Sequence, residues 1–92
     1  MMLQTALLHS LLELAPGGEP VALTRLAKRL GERVSVLLRE LTALTDASIG
    51  GVAGPGLVRL DCDDTGRWTT RLTPDGRDVA ARVAATQAAS PS

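Results

Sequence analysis

The sequence predicts a small α+β domain, mainly α: three helices, a two-stranded β-hairpin and a closing C-terminal helix, all in one unit over residues 1–92. Three observations predict it. The stretch LTRLAKRLGERVSVLLRELTAL, residues 23–44, carries apolar side chains at helical spacing on both sides of Gly31. Residues 57–72 alternate in two runs around Asp63-Asp64-Thr65-Gly66. Thr73-Pro74-Asp75 then has the chemistry of a helix start: a capping hydroxyl, a proline at the first position and an acid in the first turn.

Taken in order, Met1 to about Ala15 is an amphipathic helix with Leu3, Leu7, Leu8, Leu11 and Leu12 in one stripe. Pro16-Gly17-Gly18 ends it. His9 stands beside the stripe and reads as a surface or interface residue rather than a ligand or base. Glu19 to Ala22 is a short extended link, because Pro20 biases the residue before it away from helix. Thr24 is a plausible N-cap for the second helix, with Ala22 as an earlier start. That helix buries Leu23, Leu26, Ala27 and Leu30 and stops at Gly31, where the chain must swing round.

The third helix is predicted from Glu32 or Arg33 to about Asp46, buried along Val34, Leu37, Leu38, Leu41 and Leu44. Its opposite arc carries Glu32, Val36, Arg39 and Ala43, flanked by Ser35 and Thr42. Residues 47–56 are a glycine-rich connection, with Ile49 and Val52 as the only bulky apolar residues available to tuck in. In the hairpin, Val58, Leu60 and Cys62 share the inner face with Trp68, Thr70 and Leu72, and Gly66 supplies a positive φ at the turn. Cys62 reads as a small apolar filler and Trp68 as the plug under the hairpin. The last helix runs to about Ala88, with Val79 and Val83 on one face among alanines, and Gln87 to Ser92 reads as a frayed tail.

Composition narrows the function. There is one aromatic residue, Trp68, so a base-stacking surface for single strands is disfavoured. Net charge is zero, but Arg25, Lys28, Arg29, Arg33 and Arg39 face only Glu32 and Glu40 within residues 23–44. Such a local basic patch suits a phosphate backbone, with little long-range steering. One cysteine and one histidine leave no metal-ligand set, so no metal or other cofactor is expected. The glycine run GGVAGPG lacks the Lys-Ser/Thr of a phosphate loop, and nothing assembles a nucleophile, base and oxyanion site; an enzyme is not expected. The N-terminal stripe has no positive flank, and no run approaches a membrane span of about 18 residues, which points to a cytoplasmic protein.

A hairpin directly after a helix-turn-helix resembles a winged helix-turn-helix domain, and the residues resemble the MarR-like branch of transcription regulators, with ArsR-type and PadR-type relatives. LTRLAKRLG is similar to that family's second helix, and DDTGRWTTRLTPDGRDV to its wing and exit. The resemblance implies a helix-turn-helix over 23–46, a wing over 57–72 and a C-terminal helix over 74–88. It implies double-stranded DNA as partner, with the helix 33–45 in the major groove and the wing tip, Thr65 and Arg67, along the minor groove or backbone. Arg25, Lys28, Arg29 and Arg33 would flank phosphates, while Ser35, Val36 and Arg39 would face base edges. A homodimer would double the contacts, with Leu3, Leu7, Leu8, Leu11, Val79 and Val83 as its surface. The alternative is a winged helix that serves as a protein-interaction module, to which the neutral charge and the acidic tip (Asp61, Asp63, Asp64) are suited. A further alternative is that the Arg residues form surface ion pairs, such as Arg59 or Arg71 with neighbouring acids, each worth little. No small-molecule effector can be named from the sequence.

Overall fold

A computed structural model describes the chain from Met2 to Ala89, and its side chains over residues 3–48 and 50–85. Nine elements follow in order. They are α1 (Met2–Leu14), β1 (Val21–Ala22), α2 (Leu23–Leu30), α3 (Val34–Leu44), β2 (Ser48–Ile49), β3 (Val52–Ala53), β4 (Val58–Cys62), β5 (Trp68–Leu72) and α4 (Pro74–Ala89). The fold is α+β: four helices and a small three-stranded antiparallel sheet in the order β1-β5-β4, with β2 and β3 forming a separate two-stranded piece.

The core forms because every helix and the sheet contribute a stripe to it. Leu7, Leu8 and Leu11 of α1 meet Leu23 and Leu26 of α2, Leu37, Leu41 and Leu44 of α3, Val58, Leu72 and Ala80. Leu7, Leu11, Leu26, Leu37 and Leu41 are completely buried. With no Phe or Tyr, the mass comes from leucine, and each such side chain contributes about 1.5–3 kcal/mol on burial. This corrects the dimer surface expected from the sequence. Leu7, Leu8 and Leu11 face the chain's own core and are closed to a second copy, and Leu3 and Val79 are half-buried against the same cluster. α4 covers the stripe: α1 and α4 pack on each other within the chain.

The turn between α2 and α3 is three residues, Gly31 to Arg33. Gly31 has φ 66° and ψ 32°, the left-handed cap that lets a helix stop and the chain turn. Glu32 N–H donates to Ala27 O, so Glu32 belongs to this turn and not to the outer arc of α3. α2 begins one residue before the expected cap: Ala22, in extended geometry, precedes it, and Thr24 lies inside the helix.

Two connections and the far end of the main hairpin differ from expectation. The extended link pairs with the hairpin as β1, Val21 opposite Thr70 and Ala22 opposite Thr69, so the sheet has three strands rather than two. The glycine-rich connection is an ordered hairpin, with Gly50 and Gly51 both at positive φ, as a tight two-residue turn of this hand requires. Its base is fixed by Gly54 N–H to Ala47 O, Gly56 N–H to Thr45 O and Leu57 N–H to Leu44 O. Val52 does not tuck in but stands 71% exposed, while the Ile49 side chain lies outside the described ones. At the far end of the main hairpin Cys62 is exposed, while its partner Trp68 is half-buried at the edge of the core. Met1 and residues 90–92, the last half of the expected tail, lie outside the described residues, while residues 87–89 continue α4.

Thr73 locks the hairpin to α4. Its N–H donates to Leu57 O, its hydroxyl to Gly56 O, and the same hydroxyl accepts from Gly76 N–H at the helix start. Gly76 lies against Leu57 O, where no Cβ fits. Among the described residues no helix is long and apolar enough to cross a membrane. Truncating Leu7→Ala is expected to cost about 2–5 kcal/mol. Denaturant unfolding at several protein concentrations checks the assignment: a core leucine gives a loss independent of concentration, whereas an interface leucine gives one that shrinks as concentration rises.

Candidate nucleic-acid interface

The burial of Leu23 and Leu26 turns the other side of α2 to solvent, and Arg25, Lys28 and Arg29 stand there, exposed. In α3 the same logic leaves Ser35 and Arg39 exposed and Val36 half-buried, while Arg33 is exposed at the N-cap. Lys28 in the last turn of α2 and Arg33 at the start of α3 therefore bracket the turn at Gly31. Arg25, Lys28, Arg33 and Arg39 make no side-chain hydrogen bond or ion pair among the described residues.

Arg29 is different. Its Nη2 donates to Glu13 Oε1 at 2.7 Å, tying α2 to α1. His9 Nδ1 lies 3.9 Å from the same carboxylate, one helical turn away. Arg29 therefore leaves the group of free cations. Of the two acids within residues 23–44, one is also accounted for. Glu32 is in the turn, and Glu40 accepts from Gln4 Nε2 at 3.1 Å and points to α1. Thr42 spends its hydroxyl on Leu38 O at 2.6 Å, a bond within the helix.

The hairpin tip is built around Asp63. Its Oδ1 accepts from the Thr65 hydroxyl at 2.7 Å, Arg67 N–H at 2.9 Å and Thr65 N–H at 3.0 Å. Gly66, at φ 82°, lets its own N–H reach Asp63 O. The Thr65 hydroxyl and the two backbone donors, with the Arg67 charge, hold the Asp63 carboxyl below its ordinary value of 3.8. Asp63 is thus a structural acid that shapes the tip, while Asp61 and Asp64 remain exposed beside the exposed Arg67. Thr65, offered by the sequence as a DNA contact, has its donor hydrogen committed to Asp63.

The structure also brings together two arginines outside the expected DNA-contact set. Arg59 and Arg71 form no ion pair among the described residues. They stand directly opposite each other across β4 and β5. The pairing follows from the Asp63–Arg67 turn, which sets the register, and that register was the signal in the sequence that could have found it. No group of three His, Cys, Asp or Glu able to hold a metal occurs among the described residues. No protein-family model, curated protein sequence or solved structure matches the chain.

The lowered Asp63 carboxyl has a testable sign. Its charged form is bonded only in the folded tip, so it supports the turn above the ordinary carboxylate range, and that support is lost as pH falls through the lowered value. Amide hydrogen exchange is expected to show Arg67 N–H and Thr65 N–H protected at pH 5 and above and losing that protection below the reference value of 3.8. In Asp63→Ala both should be unprotected at every pH.

Proposed function

We propose that the chain is a winged helix-turn-helix protein that binds double-stranded DNA and acts as a transcription regulator, with α3 as the reading helix and the β4–β5 hairpin as the wing. The observation that carries this reading is the outer side of the α2–α3 pair. Arg25, Lys28, Arg33 and Arg39 are exposed and uncommitted there, Glu40 is held by Gln4, and Glu32 stands exposed in the turn beside Arg33. An exposed helix bearing Ser35 and Arg39 behind a short glycine turn suits a major groove: Arg39 matches the acceptor pair of guanine, and Ser35 matches either a base edge or a phosphate. Arg67 at the tip of the hairpin adds a cation about where a wing meets the backbone.

Affinity from one copy would be modest, since few cations take part and the net charge is zero. Pairing of two copies would double the contacts, but α1 is mostly spent on the core; the outer side of α4 around the half-buried Val83 is what remains for it.

A second reading, a winged helix that binds a protein, is favoured by the exposed Asp61 and Asp64 at the tip, which repel phosphates. One comparison separates them. Selection from random duplexes should give a preferred sequence for the native chain. Arg39→Ala should relax that preference, at a cost of about 1–3 kcal/mol on the best site. Lys28→Ala should weaken all sequences alike. Absence of any enriched sequence, with native and Arg39→Ala chains equal on every duplex, would favour the protein partner.

A further inference from the structure

We infer that Arg59, Arg71 and Arg77 form an oxyanion site on the outer face of the sheet, and that its ligand is a phosphate group. Arg59 and Arg71 are cross-strand partners. Directly opposed residues hold their Cβ atoms about 5 Å apart, and like charges so placed repel and destabilise the pair. The arrangement is fixed from below. Thr70, completely buried, donates its hydroxyl to Arg59 O at 2.9 Å, and Val58 opposite Leu72 anchors the neighbouring pair in the core. The sheet cannot slip to separate the two guanidinium groups without exposing that face.

A third guanidinium joins them. Arg77 of α4 reaches the α1–β1 loop, where Nη1 donates to Gly17 O at 3.4 Å. Arg59, Arg71 and Arg77 together line an open cleft of about 170 Å³, with Gly17, Gly18 and Thr73 completing its wall. Gly18 is at φ 84°, where a side chain is strained, and a Cβ there would lie a tight 3.3 Å from Leu72 O, so glycine favours this close approach of loop and strand. The backbone offers the cleft little: Pro74 has no N–H, Gly76 N–H is held by the Thr73 hydroxyl, and Arg77 N–H by Thr73 O. The recognition therefore rests on the arginine side chains.

Acids lie near on two sides. Glu19 spends Oε1 on Gly17 N–H at 3.0 Å, at the rim, and Asp61 sits two pairs further along the sheet, opposite Thr69. Asp46, Asp61 and Asp75 line a second cleft that Arg59 also borders. None of them forms an ion pair with Arg59 or Arg71 among the described residues. Three guanidinium groups with no bound carboxylate select a compact multivalent oxyanion, since their planar donors match phosphate oxygens in pairs. A phosphate between Arg59 and Arg71 offsets the repulsion that the register imposes. The site stands apart from α3 and holds whether or not the chain reads duplex DNA. The shared chemistry admits two sources, a free phosphate or a backbone phosphate of nucleic acid.

The test uses the full chain and inorganic phosphate, titrated at constant ionic strength and followed by amide NMR. A saturable shift of Gly17, Gly18 and Arg71 is expected, with a rise in melting temperature over chloride at equal ionic strength. Arg59→Gln and Arg71→Gln, singly and together, should weaken phosphate about tenfold or more. They should also be as stable as the native chain in chloride, because the repelling pair is gone. Lys28→Gln should leave phosphate binding unchanged. A parallel titration with duplex DNA separates the sources: loss in the double variant assigns the site to backbone phosphate, and unchanged duplex binding assigns it to a free phosphate. No saturable shift at these amides, or equal weakening by Lys28→Gln, would overturn the proposal.

Discussion

The structure depends on one leucine core that draws on every helix. A chain of 92 residues without Phe or Tyr has few ways to bury enough apolar surface, and this one gathers Leu7 and Leu11, Leu26, Leu37 and Leu41 around Val58 and Leu72. That demand decides which faces look outward. Because α1 gives its whole stripe to the core, α2 and α3 must turn their charged sides to solvent, and the basic surplus of residues 23–44 becomes a surface feature. The same demand lays one face of the β4–β5 hairpin on the helices and leaves the other, with Arg59 and Arg71, uncovered.

Polar groups then sort the charges that the core leaves outside. Glu13 takes Arg29, Gln4 takes Glu40, and Asp63 takes the backbone of its own turn. These are modest interactions in water, since exposed pairs contribute little to stability. Their consequence is positional. They remove one cation and three acids from play and leave Arg25, Lys28, Arg33 and Arg39 uncommitted on α2 and α3, with Arg67 at the hairpin tip. A net charge of zero therefore conceals an uneven surface.

Much of this was legible in the sequence where one residue type dictates one geometry. Gly31 marks the stop of α2, Gly66 the turn of the hairpin, and Thr73-Pro74-Asp75 the start of α4, because each sits where backbone freedom or capping chemistry is required. The core stripes of α2 and α3 were legible from their period. What escaped depends on distant partners. Val21 and Ala22 become a strand only because β5 has a free edge at Thr69 and Thr70. The glycine-rich connection folds as a hairpin because its base is bonded to residues 44–47. The fate of Leu7 and Leu11 hinged on α4 lying over α1, and that of Arg29 and Glu40 on side chains of α1. At the candidate site the exposed positions were therefore readable, while which of them are free to bind was not.

The central claim is that the uncommitted cations of α2, α3 and the hairpin tip meet the phosphates of duplex DNA. The salt dependence of duplex affinity tests it most directly, because each phosphate neutralised contributes about −0.9 to the slope of log K against log salt. Arg25, Lys28, Arg33 and Arg67 acting together predict a slope of roughly −3 to −4 for one copy on its site. A slope near zero, or no duplex binding at low salt, would contradict the account.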